Sequence, residues 1–220
     1  MKTNKKEMFL GYISIIYSIT LLFVLVSNFT NRTSEHWRFF YAFTQQSNIL
    51  ALLWLTVFGI TAFKPNKLGE FVRNNTVMIA LTVYLSITYF IVALVLDPIY
   101  VGQFQPAKSS SELWLHHLTP IFVWVMFFLV KGAGEVNFKK SLLVLVYPLF
   151  YTVLNLVIGS TVKYEDGSKA FAYGFINPAS YGGNYLIFMG VILGLLLVFS
   201  LFTVLVTKLK VFLTNNYHNE

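Results

Sequence analysis

Six predominantly apolar stretches, at residues 8–29, 39–63, 76–96, 113–130, 141–160 and 183–207, contain no Asp, Glu, Lys or Arg. Each is close to the roughly 20 residues that carry a helix across the hydrocarbon core of a bilayer. A backbone in lipid must satisfy its own polar groups, and a single apolar segment does that only as a helix. The rest of the composition agrees. Charged residues are 11% of the chain, where soluble domains carry about 25%, too few to coat a soluble globule that holds 22 Phe, 13 Tyr and 4 Trp. With no cysteine, disulfides, thiolate catalysis and cysteine metal sites are excluded. The predicted fold is an all-α integral membrane protein, one six-helix bundle domain over residues 1–220.

The first stretch follows Lys2, Lys5 and Lys6, as in a signal sequence. It is longer than the roughly 7–15 apolar residues of a cleavable signal, and no small-residue cleavage site follows, so it reads as a retained anchor. Basic residues then set the orientation. Eleven of the sixteen fall in the N-terminal arm, at Lys64, Lys67, Arg73, Lys131, Lys139 and Lys140, and at Lys208 and Lys210. Arg32, Arg38, Lys108, Lys163 and Lys169 lie on the opposite side. The positive-inside rule therefore places both termini in the cytoplasm. The basic excess is explained by topology and anionic lipid, not by nucleic acid.

Two connections, Asp97–Glu112 and Thr161–Gly182, are long and lie outside in this topology. Such lengths suit lids over a site. The charge-free spans leave proton-coupled transport without its usual relay groups. Phosphate loops, metal-binding histidine spacings and serine-hydrolase elbows are missing, and no cofactor is expected.

Within the spans, two polar groups stand out. Thr44-Gln45-Gln46-Ser47-Asn48 opens the second span, and counting the span from Ile49 would leave it too short. Thr44, Ser47 and Asn48, at i, i+3 and i+4, share one helix face that must turn from lipid. Two readings stand: interhelical glue, or a site. The second group is His116-His117 near the start of the fourth span, ahead of Pro120. Thr44 and His116 lie about five and three residues into spans that run in the same direction, a depth difference of about 3 Å. If those spans touch, a hydroxyl and an imidazole meet in the outer leaflet. That is the minimal nucleophile–base pair for acyl transfer. Asp97 is the one nearby carboxylate, and an interfacial charge before Pro98 is its simpler role. Gln45 and Asn48 are candidate oxyanion donors.

These stretches also carry a resemblance. The run from Trp37 to Asn48 (Trp-Arg-Phe-Phe-Tyr-Ala-Phe-Thr-Gln-Gln-Ser-Asn) resembles a signature of bacterial six-span membrane proteins that look like distant relatives of the androgen-induced/androgen-dependent hydrolases of eukaryotes. It continues through Leu115-His116-x-x-x-Pro120, Tyr147-Pro148-Leu149-Phe150-Tyr151 and Tyr173-Gly174-Phe175-Ile176-Asn177-Pro178. The resemblance implies a bacterial cell membrane and a hydrolase of fatty-acid esters of hydroxy fatty acids. Thr44 would be its nucleophile and His116 its base, with His117 as the alternative base. Two departures accompany it: Phe90 stands where a polar residue is expected after Tyr89, and the Tyr-Pro-x-Pro-Phe of the fifth loop lacks its prolines.

The expected function is a lipid-ester hydrolase opening to the outer leaflet, with lipid its substrate and the bilayer its surroundings. The alternative is a non-enzymatic lipid or small-molecule binder or transporter using the same pocket. Arg38 at the outer mouth would hold a substrate carboxylate or anchor the interface. Tyr173 and Asn177 would form part of a lid.

Overall fold

The computed structural model describes residues 5–31, 36–96, 109–133 and 135–217. It is 84% helical and has no strands among the described residues, so the fold is all-α. Six helices are long and apolar enough to cross a membrane: α1 (Lys5–Thr30), α2 (Phe43–Phe63), α3 (Asn75–Leu96), α4 (Ser110–Leu129), α5 (Phe138–Thr161) and α6 (Tyr185–Tyr217). The protein is therefore a multi-pass membrane bundle.

α1 and α2 approach most closely where glycines face each other. A Cβ at Gly11 would lie 2.6 Å from the Ala62 Cβ, and one at Gly59 would lie 2.6 Å from Ile15. With no hydrophobic drive between helices in lipid, such small residues let backbones pack by dispersion alone. Ser14 and Ser18, buried on the same face of α1, bond carbonyls of their own helix and need no partner elsewhere.

Two spans differ from the sequence reading. The second begins at Phe43, not at residue 39. Ala42 is extended (φ −73°, ψ 132°) and separates α2 from a one-turn helix, Trp37–Tyr41. At 21 residues α2 is still long enough to span, and the polar run lies inside its first two turns as expected. The last helix runs to Tyr217 instead of stopping at residue 207. It continues through Lys210 because that side chain is buried, its Nζ donating to the Phe127 and Val130 carbonyls at 3.1 and 3.3 Å. Those carbonyls end α4, where the helix leaves acceptors unpaired.

Both interior prolines are accommodated. Pro148 has no N–H for the Val144 carbonyl, and the Tyr84 hydroxyl donates to that carbonyl at 3.0 Å. Pro120 deprives the His116 carbonyl in the same way. Ahead of it, Leu113–Leu118 widens into a π-helix that holds both histidines, a form that recurs at functional sites. A second π-helical segment, Val92–Leu96, ends α3 on the same side of the bundle.

Candidate functional site

The polar run is the hub of the bundle, and each of its five side chains reaches a different element. Gln45 donates to Asn28 of α1 at 3.2 Å, and Asn28 in turn donates to Ser111 of α4. Gln46 accepts from the Tyr147 hydroxyl of α5. Ser47 shares a 2.9 Å bond with Thr88 of α3. Asn48 donates to the Thr44 carbonyl at 2.8 Å and to the Leu115 carbonyl of α4 at 3.0 Å. Gln45 to Asn48 are thus interhelical ties, and both amide hydrogens of Asn48 are engaged in them. The Asn48 bond also shows that the second and fourth spans touch at the expected depth.

Thr44 differs. Its hydroxyl lies 3.3 Å from that of Tyr173, in the connection before α6, and it lines a cavity of about 80 Å³. The floor and walls are apolar, with Ile87, Ile91, Phe175 and Ile176 joined by Ile192, Leu195, Leu196 and Phe199 of α6. From Ile192 to Phe199 the α6 wall runs about 10 Å along the helix. The polar groups on it are hydroxyls, those of Thr44, Thr88, Tyr151, Thr152 and Tyr173, and no charged side chain lines it among the described residues.

Helix geometry places Thr44 among backbone donors that the helix itself leaves unpaired. It is the second residue of α2, where the first N–H groups have no partner inside the helix. Tyrosine hydroxyls take them: Tyr151 accepts from the Phe43 N–H at 3.2 Å, and Tyr173 from the Thr44 N–H at 3.3 Å. The positive end of the α2 dipole therefore points at the cavity mouth. Burial pushes the Tyr173 phenol pKa up from its ordinary value, against hydrogen bonds from Thr44 that lower it. The Tyr173 phenol therefore keeps its proton at neutral pH.

Both histidines are partly buried, and neither lines the cavity. His117 packs edge-on against Tyr89, with ring centroids 5.6 Å apart. His116 follows the residue whose carbonyl Asn48 holds, so its turn is fixed beside that of Thr44. Phe90, one of the departures from the expected pattern, packs against Phe202 of α6.

The connection after α5 and the short helix ahead of α2 sort the remaining candidates. Arg38 is exposed, its guanidinium 3.9 Å above the Tyr164 ring, and it does not line the cavity. Tyr164 belongs to a short hairpin-like turn in which Ala170 bonds back to Val162 and Gly167 takes φ 81°. There the Asp166 carboxyl is held below its ordinary pKa, chiefly by the Ser168 hydroxyl and N–H and also by Arg38. Asn177 caps the one-turn helix Pro178–Tyr181 through the Ala179 N–H, a local structural role. Tyr173 alone of the two predicted lid residues reaches Thr44. Asp97 lies outside the described residues.

Sequence reasoning missed the inner face of α5. Tyr147, Tyr151, Asn155 and Gly159 recur every four residues and form one stripe. Asn155 is buried, accepting from the Ala172 N–H and, through its carbonyl, from Tyr41. Gly159 leaves room for Phe171. The fourfold spacing of polar and small residues in an aliphatic span was the available signal. Comparison of the chain with protein families, curated proteins and solved structures finds no match.

Proposed function

We propose that the protein is a membrane-embedded lipid-ester hydrolase that works at Thr44, with an acyl chain in the cavity along α6. The observation that carries this reading is Thr44 itself. It is the one residue of the polar run whose side chain opens onto an apolar cavity, at a helix N-terminus, beside a protonated tyrosine. Thr44 Oγ1 attacks the ester carbonyl carbon, and His116 takes its proton and returns it to the departing alcohol. Tyr173 accepts from the Thr44 N–H and turns its own proton from the neighbouring hydroxyls to the oxyanion when substrate binds. Water then releases the fatty acid from Thr44. A rotation of His116 toward the Thr44 turn completes the pair, since catalytic hydrogen bonds tighten in the substrate complex.

The hydroxyl-lined, charge-free cavity accepts the hydrocarbon and the ester. A free carboxylate on the substrate stays at the outer mouth, where Arg38 lies. The same orientation follows from the basic residues and puts both termini in the cytoplasm. We also propose kinship with the bacterial six-span and androgen-dependent hydrolase families, on the motifs quoted above.

A lipid-binding protein without catalysis is favoured by one observation, the pairing of the Thr44 hydroxyl with a tyrosine. Ester hydrolysis by purified protein in detergent separates the two. A hydrolase keeps activity in Thr44→Ser and loses it in Thr44→Val and His116→Ala. A wild type without turnover on long-chain esters, yet still retaining them, leaves the binder.

A further inference from the structure

At the opposite end of α2 from Thr44 lies a second built pocket. Arg73, between the short helix Lys67–Val72 and α3, is only 3% exposed. Its Nη1 donates to the Gly69 carbonyl at 2.9 Å and lies 3.4 Å from Thr61 Oγ1, and the guanidinium rests on the Phe58 ring. The remaining edge of the fork, Nε and Nη2, is buried and has no hydrogen-bond partner among the described residues. Glu7 Oε1 stands 3.8 Å from Nε, too far for a hydrogen bond. A cavity of about 170 Å³ adjoins it, lined by Arg73, Glu7, Asn66, Glu70, Lys131 and Gly132.

The pocket is assembled rather than incidental. The Ala133 N–H donates to the Arg73 carbonyl at 2.7 Å, and the Asn75 N–H donates to the Ala133 carbonyl at 3.1 Å. These bonds tie the end of α4 to the start of α3. A Cβ at Gly132 would collide with the Asn75 amide, so only glycine allows this approach. The lining comes from the same ends of α1 to α4, where helices of membrane length leave the hydrocarbon core. Burial lowers the Arg73 pKa from its ordinary value, and Glu7 opposes the shift.

A guanidinium edge with two parallel N–H donors matches the two oxygens of a phosphate. Two carboxylates line the same space, so an oxyanion alone meets repulsion, whereas a phosphate followed by an ammonium meets complementary charge at both ends. We propose that this pocket binds the head group of an amine-bearing zwitterionic phospholipid. The phosphate displaces Glu7 from its ion pair with Arg73 and takes the Nε–Nη2 edge beside Lys131, and the ammonium faces Glu70 and the displaced Glu7.

The test is the thermal shift of the full-length protein in detergent with short-chain phosphatidylethanolamine, phosphatidylglycerol or soluble phosphoethanolamine. Phosphatidylethanolamine should stabilise wild type at tenfold lower concentration than phosphatidylglycerol. Arg73→Lys keeps the charge but loses the fork, and should abolish that stabilisation. Glu70→Gln, at an exposed position, should remove the preference between the two lipids and serves if Arg73→Lys fails to fold. A response to soluble phosphoethanolamine equal to that of the lipid supports the site and assigns it to the head group alone. Equal responses to both lipids in wild type, an undiminished response in Arg73→Lys, or an unchanged preference in Glu70→Gln overturns the proposal.

Discussion

α2 and α6 are both long and apolar, yet half of the α2 span is buried inside the bundle and only 11% of the α6 span is. The difference lies in what each helix offers its neighbours. α2 carries Gly59 against α1 and a polar run that ties it to every element around its first two turns. α6 presents large aliphatic side chains, and its Gly190 and Gly194 meet nothing within 4 Å. Glycines close the α1–α2 contact and interhelical bonds tie the first turns of α2, while bulky residues of α6 facing the α5 stripe leave the cavity beside Thr44. On the proposed function, the loosely packed half admits the ligand sideways from lipid and the tightly packed half holds Thr44 in place for it.

The largest effect that would break this contrast comes from glycine. Gly59→Leu forces a side chain into Ile15 and should cost about 3 kcal/mol or more, whereas Gly194→Leu should stay within about 0.5 kcal/mol. Melting of both variants in detergent checks this, and equal effects would erase the distinction between the halves. Next in size is Asn48→Leu. It leaves the Leu115 carbonyl without its donor, and should cost about 1–3 kcal/mol and reduce ester turnover by releasing the His116 turn from Thr44. Activity that survives at the wild-type level would remove the bridge from the mechanism.

Tyr173→Phe sharpens the comparison from the cavity side. It removes the hydroxyl that meets both the N–H and the side chain of Thr44. Stability should fall by about 1 kcal/mol, while turnover should fall by about a hundredfold to a thousandfold, the effect of losing one oxyanion donor. A loss in stability without a loss in rate would make Tyr173 a strut only. The smallest effect belongs to the outer turn. The Asp166 pKa is lowered on folding, so its contribution is complete above its unfolded pKa of about 3.9 and disappears as pH falls through the lower folded value. Protection of the Ser168 amide, its exchange rate relative to the intrinsic rate at the same pH, should therefore fall on acidification below about pH 4, by this shift. Asp166→Asn should show no such change.

How far the sequence could be read follows the same division. The six helices were legible because charge-free runs of that length have one stable form in lipid. Their ends were less so. Nothing in Phe39–Ala42 marks the extended residue at Ala42, since neither Gly nor Pro is present there. Lys210 looked like a surface charge because its burial depends on the α4 carbonyls it reaches, 80 and 83 residues away in sequence. In the polar run, helical spacing placed Thr44, Ser47 and Asn48 on one face, but not their division between ties and site. That division depends on which partner each side chain meets, as Thr88 meets Ser47 and Tyr173 meets Thr44. Arg73 was counted for topology alone, and only tertiary structure exposes its unoccupied edge.

The most direct test of the central claim is to look for the acyl group on Thr44. Purified protein is mixed with a long-chain nitrophenyl ester, whose good leaving group favours build-up of the acyl-enzyme, then quenched and mapped by peptide mass spectrometry. The account predicts one acyl mass increment on the peptide containing Thr44, absent from Thr44→Val. Ester cleavage with no increment there, or an increment that persists in Thr44→Val, would contradict it.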